Sequence, residues 1–288
     1  MSTDVTHLQE EQATPNPAVV IAQARSSRRW ANIYAGRARV LFERSFRIVK
    51  TSSWPVVLSG FVEPVFYLAA FGAGVGPLIG SLDDGFGHIV PYPVYIAPAL
   101  LATSAMNGAF YDSTWNIFFK MHYGKTYQAM MATSIGPLDV ALGEIGWALL
   151  RGLVYAVGFM TIVTTMGLVP SWWGVLAVPA AVLIAFGFAS VGMAITSYLK
   201  SFQQMDWVTF WLLPMFLFSG TFYPVSVYPQ WLTDIVRALP LWQAADLVRG
   251  LMLGNITSAL LWHVVYFALM IGIGLTVATR RLTRLFMR

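Results

Sequence analysis

Three charged residues lie inside long apolar stretches of this sequence and are its first candidates for chemistry: Glu63, Asp112 and Arg151. A charge near the centre of a membrane helix costs about 2.5 to 3.5 kcal/mol on insertion scales, so such side chains face protein or water rather than lipid. We therefore expect them to line a polar translocation path or gate. The alternative is a structural ion pair between helices, joining Arg151 to Glu63 or to Asp112, and the sequence leaves both open.

The patterns typical of catalytic, nucleotide and metal sites are missing. Tyr123-Gly124-Lys125-Thr126 is similar to the end of a phosphate-binding loop, but that motif requires glycine where Phe119 stands. The four histidines lack the close pairing of metal sites, and the chain has no cysteine. No GxSxG turn is present, and the acidic residues within the apolar stretches form no close pair suited to acid/base catalysis. We predict no catalytic residue, cofactor or metal in this chain.

The composition is that of a protein that lies mostly in a membrane. Of its 288 residues, 57% are hydrophobic and 11% are charged, whereas soluble domains carry roughly 25% charged residues. A bilayer core of about 30 Å requires about 20 apolar residues in a helix. An all-α integral membrane fold is therefore predicted, with six transmembrane helices at Trp54–Ile79, Val94–Phe119, Ile145–Val169, Trp172–Tyr198, Trp207–Tyr223 and Thr257–Thr279.

The distribution of lysine and arginine predicts the orientation of these spans. Basic residues are retained on cytoplasmic flanks, and they cluster before the first span and after the last, whereas the loops 80–92 and 170–171 have none. Both termini are therefore expected in the cytoplasm, and Arg237 and Arg249 fall on a predicted outer loop. The net charge of +5 is not gathered on one soluble segment, so no nucleic-acid partner is predicted.

The remaining segments complete the predicted organisation around a transmembrane domain at 54–279. Residues 1–29 are polar, lack the apolar core of a cleaved signal, and are expected to be a disordered tail. Residues 30–50 have helical amphipathic spacing, which predicts a helix in the lipid headgroup region or, alternatively, one packed on cytoplasmic protein. Residues 280–288 form a basic cytoplasmic tail.

A long connection precedes the last span. Residues 224–256 contain two amphipathic stretches, one around Trp231 and Ile235 and another around Val248, and Pro240 stands between them. Irregular backbone at membrane depth must be sheltered by protein or water. We therefore predict short helices on the outer face with a re-entrant break, rather than a seventh span.

Several motifs occur in a fixed order along most of the chain. They are Glu63-Pro64-Val65-Phe66-Tyr67-Leu68, Tyr95-Ile96-Ala97-Pro98, Lys125-Thr126-Tyr127-Gln128-Ala129-Met130-Met131-Ala132-Thr133, Leu142-Gly143-Glu144-Ile145, Phe218-Ser219-Gly220-Thr221-Phe222-Tyr223-Pro224 and Leu239-Pro240-Leu241 with Arg249-Gly250. In this order they resemble the ABC-2 type transport permeases, and among these the nodulation-factor (lipo-oligosaccharide) exporter branch.

This resemblance implies an exporter in the plasma membrane that moves a lipid-linked, glycolipid or amphiphilic substrate outward by alternating access. It would be built from two permease copies or paralogues and separate ATP-binding subunits that hold ATP and magnesium. It also implies that the segment from 125 to 133 is the cytoplasmic coupling helix. Its expected contacts with the ATPase partner are Lys125, Thr126, Tyr127, Met130 and Met131. Of these, Tyr127, Met130 and Met131 are expected to offer apolar contacts to a groove of that partner.

Other functions remain compatible with the sequence. A multidrug efflux permease of the same family would use a similar apolar path for an amphiphilic substrate. From a different class, an ion-coupled secondary transporter or channel is equally compatible with a membrane fold, although no inverted repeat relates the two halves. A lipid-modifying membrane enzyme would require clustered polar residues near one interface, and no such cluster stands out.

Overall fold

The computed structural model of the chain describes residues 54–124, 126–131 and 135–286, with the single positions Ala38 and Glu43. The predicted tail at 1–29 lies outside the described residues, as does the predicted interfacial helix at 30–50 apart from those two positions. Lys125 and the last two residues of the basic tail also lie outside them.

Apart from one short hairpin, the described residues form helices and the loops between them. The helices are α1 (Trp54–Ala69), α2 (Gly76–Ile79), α3 (Tyr92–Tyr111), α4 (Ile117–His122), α5 (Thr126–Met131), α6 (Pro137–Thr165), α7 (Ala177–Thr196), α8 (Phe202–Phe218), α9 (Gln230–Ala238), α10 (Pro240–Leu253) and α11 (Ala259–Phe286). Two π-helical turns, Ala70–Val75 and Asp112–Asn116, join α1 to α2 and α3 to α4. Single 3₁₀ turns form at Trp172–Leu176 and Val225–Val227.

Helix α3 is the centre of the bundle. Most of its residues are buried, from Tyr92 to Phe110, and α1, α6, α7 and α10 pack around it. A helix enclosed on all sides has no single polar face, and α3 indeed buries apolar and small polar residues alike. It is therefore the element against which the other helices are positioned.

Helices α7 and α11 cross closely because glycine stands at the contact. A Cβ atom built at Gly274 would lie 2.7 Å from the carbonyl carbon of Ser190 and 2.9 Å from the backbone nitrogen of Val191. Small residues permit such backbone approach between membrane helices. The last helix is in this way joined to the core.

Among the described residues, four helical segments are long and apolar enough to cross a membrane: Val62–Ile79, Pro137–Thr165, Trp172–Thr196 and Ala259–Phe286. They overlap the first, third, fourth and sixth predicted spans. The second predicted span corresponds to α3 and α4, and most of α3 is enclosed by protein, so it need not be as apolar as a helix in lipid. The fifth corresponds to α8, whose 17 residues are fewer than the usual 20. Six crossings therefore remain a prediction.

The third long helix begins earlier than predicted, at Pro137 rather than Ile145. Its first turn is capped because the Asp139 side chain accepts a hydrogen bond from the backbone N–H of Gly136 at 3.0 Å. A carboxylate in this position satisfies a free donor at the helix N-terminus. Polar residues at the start of α6 are thus compatible with the helix, although they interrupt the apolar stretch in the sequence.

The segment from 224 to 256 forms the two predicted short helices, α9 and α10, and Pro240 is the first residue of α10. Proline is well tolerated at that position because its missing N–H would have no partner there. Arg249 differs from expectation: it lies inside α10 and only 3% of its surface is exposed. It is a buried residue rather than one of an outer loop.

A two-stranded hairpin connects α2 to α3. Strand β1 (Ser81–Asp83) pairs antiparallel with β2 (Ile89–Pro91), with Leu82 opposite Val90. In its turn, the buried Asp84 carboxylate accepts hydrogen bonds from the backbone N–H of Phe86 at 2.7 Å and of His88 at 3.0 Å. The Asn255 side chain, just after α10, donates to the same carboxylate at 3.1 Å. Asp84 therefore ties the hairpin to the end of α10.

This attachment is expected to depend on pH. Burial raises the pKa of Asp84, but the hydrogen bonds from His88, Phe86 and Asn255 together lower it by more. The net result is a pKa below the usual value of 3.8. Because the pKa is lowered in the folded state, the stabilisation is present above 3.8 and is lost as the pH falls through the lower folded value. Hydrogen exchange of residues 81–91 should stay slow down to about pH 4 and quicken below it.

An Asp84→Asn variant should exchange rapidly in the hairpin at every pH. The matched control is Asp83→Asn, because Asp83 is exposed and accepts a hydrogen bond only from the Gly85 N–H among the described residues. Equal exchange in the Asp84 variant and the parent would contradict this account of the hairpin.

A candidate functional site in a polar cleft

A partly open cleft of about 590 Å³ lies between α1, α3, α6 and α8. This volume falls within the usual range of about 300 to 1,000 Å³ for small-molecule sites. Its walls combine polar side chains with aromatic rings. The lining residues are Glu63, Pro64, Tyr67, Leu100, Thr103, Ser104, Asn107, Gly108, Tyr111, Asp112, Trp115, Asn116, Arg151, Tyr155, Thr209, Leu212, Leu213 and Phe216.

The cleft brings together the three charged residues singled out in the sequence, Glu63, Asp112 and Arg151. Arg151 Nη1 lies 3.2 Å from Asp112 Oδ1, and Asn116 Nδ2 donates to the same oxygen at 3.3 Å. The Asp112 side chain is 7% exposed. Of the two ion pairs weighed from the sequence, the observed one joins Arg151 to Asp112. Their role in a path or gate stays a prediction.

Asp112 is the first residue of the π-helical turn that joins α3 to α4. The hydroxyls of Ser113 and Thr114 donate to the Phe110 carbonyl at 3.1 and 2.7 Å. Such side-chain bonds compete with the regular backbone ladder, and π turns of this kind are frequent at functional sites. On the other side, Gly192 of α7 leaves room for the Ser113 hydroxyl, which a Cβ would approach to 2.3 Å.

A second ion pair joins the same two helical segments, α6 and the one that follows α3. Lys120 Nζ is 2.6 Å from Glu144 Oε2, and the Glu144 side chain is 4% exposed. Both pairs cross from the segment that follows α3 to the antiparallel helix α6, about two helical turns apart. The sequence alone did not indicate this pair, because Lys120 directly follows the predicted second span and Glu144 directly precedes the third. The spacing along the sequence does contain a signal, because Lys120 follows Asp112 by about as many residues as Glu144 precedes Arg151.

Glu63 is the exception among the cleft charges. It is exposed, and within the part of the chain that the structure describes it makes no ion pair. Because Arg151 and Asp112 neutralise each other, Glu63 gives the described lining of the cleft a net negative charge. A cation or a set of hydroxyl donors is the chemistry that such a carboxylate binds best.

The predicted coupling segment forms the short helix α5, with Thr126 partly exposed at its start. Tyr127 is fully buried and Met130 is only 8% exposed. Both side chains are covered by their own chain and anchor α5 on it, and the role of this segment in coupling to a partner stays a prediction. Lys125 and the side chain of Met131 lie outside the described structure. Exposed surface beside α5 comes instead from Tyr123, which is 65% exposed.

A helical bundle with an apolar exterior and a charged internal cleft is the architecture of a membrane permease. The chain belongs to the ABC-2 type transporter family, whose model matches residues 37–253. The expectation drawn from the ordered motifs is thereby confirmed, and the chain is a multi-pass protein of the bacterial plasma membrane.

Relatives named Nodulation protein J align with this chain over most of their length. The chain is 29% identical over 250 residues to Nodulation protein J of Rhizobium leguminosarum bv. viciae, covering 86% of this chain and 94% of the relative. It is 30% identical over 226 residues to Nodulation protein J of Sinorhizobium fredii, covering 78% and 84%. The Azorhizobium caulinodans protein of the same name is 22% identical over 247 residues, covering 84% and 95%.

The cleft ion pair gives a prediction for stability. Arg151→Met should lower the free energy of unfolding by about 3 kcal/mol, because it leaves the buried Asp112 carboxylate without a counter-charge. Combining it with Asp112→Asn should restore most of that loss, since no isolated charge remains. Unfolding of the purified protein in detergent measures both. If the double variant is as unstable as the sum of its single variants, the two residues are not a coupled pair.

Proposed function

We propose that this chain is the transmembrane subunit of an ATP-binding cassette exporter, in which paired permeases move a glycolipid outward while separate subunits hydrolyse ATP. The observation that carries the proposal is the cleft: charged and hydrogen-bonding side chains converge inside an otherwise apolar bundle. Polar groups at such a place are costly, and family membership supports assigning them to transport.

Each permease would cross the membrane six times with both termini in the cytoplasm. The four helical segments that are long and apolar enough to cross a membrane would supply four crossings, and α3 with α4 and α8 would supply the other two. Helices α9 and α10 would lie on the outer side as a re-entrant pair. The packing of α10 against α3 supports this arrangement, because it shelters the break at Leu239 and Pro240 with protein.

The lining chemistry supports a sugar headgroup as the part of the substrate that enters the cleft. Asn107, Asn116 and Glu63 offer planar hydrogen-bonding groups, while Tyr111 and Trp115 offer aromatic faces. Hydroxyl-rich rings require this combination, since their edges donate and accept hydrogen bonds and their faces are apolar. The name of the relatives, Nodulation protein J, is consistent with a lipo-oligosaccharide substrate.

Movement of the ATP-binding subunits would be transmitted to this chain through the short helix α5 on the cytoplasmic side. Because Tyr127 and Met130 are buried, a partner that pushes on α5 would move the underlying helices with it. The pair of Lys120 and Glu144 joins α4 to α6 just beyond this point. Movement of α5 would therefore reach Arg151 and the cleft through α6, and alternating access would follow from this linkage.

A second substrate class is favoured by one observation: the exposed Glu63 carboxylate lines the cleft and makes no ion pair with any residue that the structure describes. Aromatic rings and a carboxylate together bind organic cations well, which would make the chain an efflux permease for amphiphilic drugs. The two classes differ in charge at the headgroup. The two substrate classes can therefore be distinguished by whether transport requires the negative charge of Glu63.

The proposal is tested by purifying the tagged chain from its native membrane and identifying the chains that copurify. A stoichiometric ATP-binding subunit with vanadate-sensitive ATP hydrolysis is the expected result. If the intact, monodisperse chain reproducibly lacks such a partner, an ion-coupled transporter or channel becomes the better account.

Glu63→Gln separates the substrate classes. For a neutral glycolipid the amide still hydrogen-bonds, so transport into inverted vesicles should fall no more than about threefold. For a cationic amphiphile, loss of the charge should reduce transport by about tenfold or more. Asp234→Asn is the matched control, since Asp234 is exposed on α9. Unchanged transport of both substrates would show that Glu63 contacts neither.

A further inference from the structure

We infer that four aromatic side chains, Tyr67, Phe71, Phe216 and Phe222, form a gate that closes one end of the cleft, and that Arg249 is the positioning residue that holds this gate in place. The inference rests on the proposed transport function, because a gate presupposes a path. It assigns to particular residues the barrier that an alternating-access permease requires.

The four rings form a closed circuit in which each ring contacts two others. The ring centroids of Tyr67 and Phe216 lie 6.0 Å apart, and those of Phe71 and Phe222 lie 4.6 Å apart. The circuit is completed by the pairs of Tyr67 with Phe71 at 6.3 Å and of Phe216 with Phe222 at 5.2 Å. Tilted and edge-to-face ring pairs attract one another and exclude water.

This circuit lies at the end of the cleft away from α5. Tyr67 and Phe216 belong to the cleft wall, whereas Phe71 and Phe222 lie beyond it. At the opposite end, the wall is formed by Trp115 and by the turn that leads to α4. In the proposed orientation the ring circuit faces outward, so a substrate leaving the cell would have to separate Phe71 from Phe222.

The half of the gate that follows α8 is fixed by a buried cation. The carbonyl oxygen of Gly220 accepts a hydrogen bond from Arg249 Nη2 at 2.9 Å and another from the Tyr95 hydroxyl at 3.2 Å. The Arg249 guanidinium also lies 4.2 Å from the centroid of the Tyr95 ring. Two elements, α3 and α10, thereby hold the turn that carries Phe222.

The geometry of this turn requires glycine. Gly220 has a φ of 72°, and a Cβ at this position would lie 2.8 Å from a methyl group of Val225. Arg249 makes no ion pair within the described part of the chain, and its stabilisation comes from the carbonyl and the ring face. Burying a guanidinium without a counter-charge costs free energy of folding. A role in fixing the turn that carries Phe222 would explain why Arg249 is nevertheless buried there.

The other half of the gate, Phe71, lies in an irregular helical turn that can deform more easily than a regular α-helix. Phe71 lies in the π-helical turn Ala70–Val75, where the backbone departs from regular α-helical bonding. Gly74 in the same turn has open space around it. Because one half is pinned and the other lies in an irregular turn, opening would occur by movement of Phe71 away from Phe222.

Cross-linking tests the gate in a chain that contains no native cysteine. Phe71→Cys with Phe222→Cys, joined by a short bifunctional thiol reagent, should reduce ATP-driven transport at least about tenfold, with recovery when a cleavable reagent is reduced. The control pair is Tyr223→Cys with Tyr228→Cys, whose rings lie 5.5 Å apart within one outer turn. A cross-linked Phe71 and Phe222 pair that transports at the control rate would overturn the gate.

The role of Arg249 is measured without transport, so that it can be judged even if the proposed function fails. In a Phe222→Cys chain, Arg249→Met should raise the labelling rate of the thiol by a membrane-impermeant reagent about tenfold, because a charge-assisted hydrogen bond is lost. Arg249→Lys should rescue part of the protection, since lysine still donates to the Gly220 carbonyl but lacks the flat face that stacks on Tyr95.

Arg237→Met is the matched control, because Arg237 is exposed on the neighbouring helix α9. Tyr95→Phe removes only the hydroxyl that reaches Gly220, and it should raise labelling less than Arg249→Met does while preserving the fold. Labelling that is the same in the parent, Arg249→Met and Tyr95→Phe would refute the positioning role. An absence of transport in the unmodified permease with its ATPase would instead count against the proposed function alone.

Discussion

A charge placed inside an apolar helix bundle must find a partner, and this constraint governs the arrangement of the chain. Asp112 with Arg151, and Lys120 with Glu144, satisfy it across the same pair of antiparallel segments. The pairs fix the register of α6 against the helix that follows α3. Because α3 packs against α1 and α6, that register also fixes the part of the cleft wall that these three helices form.

The same constraint relates structure to the proposed transport. Each ion pair is stable only while its two helices keep their register, so helices joined in this way move together. The buried side chains of α5 attach the cytoplasmic segment to this unit, and Arg249 attaches the turn after α8 to α3 and α10. The cleft lies between the two attachments. A push at one end and a ring gate at the other would give the chain the elements of alternating access.

Much of this was predictable from the sequence, for identifiable reasons. Glu63, Asp112 and Arg151 were found because a charge in an apolar stretch is rare, and the structure brings all three into one cleft. The first predicted span ends at Ile79, where α2 also ends, because the stretch before it is apolar apart from Glu63. The helices α9 and α10 were signalled by their amphipathic spacing and by Pro240.

The rest depended on contacts that periodicity does not contain. Lys120 and Glu144 looked like flanking residues, because only the antiparallel packing of α6 shows that they meet. Tyr127 and Met130 looked like exposed apolar contacts, because a short segment does not reveal which of its faces its own chain covers. Arg249 looked like part of a loop, since its partners, Tyr95 and the Gly220 carbonyl, are distant in sequence.

The central claim, that substrate passes through the cleft, is tested most directly by filling it. Asn107 lies on the cleft wall, and Asn107→Trp, assayed with the ATP-binding partner in inverted vesicles, should leave ATP hydrolysis largely intact and reduce lipo-oligosaccharide transport by about tenfold or more. Leu261→Trp, on an exposed part of α11, should transport normally. Transport by the Asn107 variant equal to that of the Leu261 variant would contradict the account.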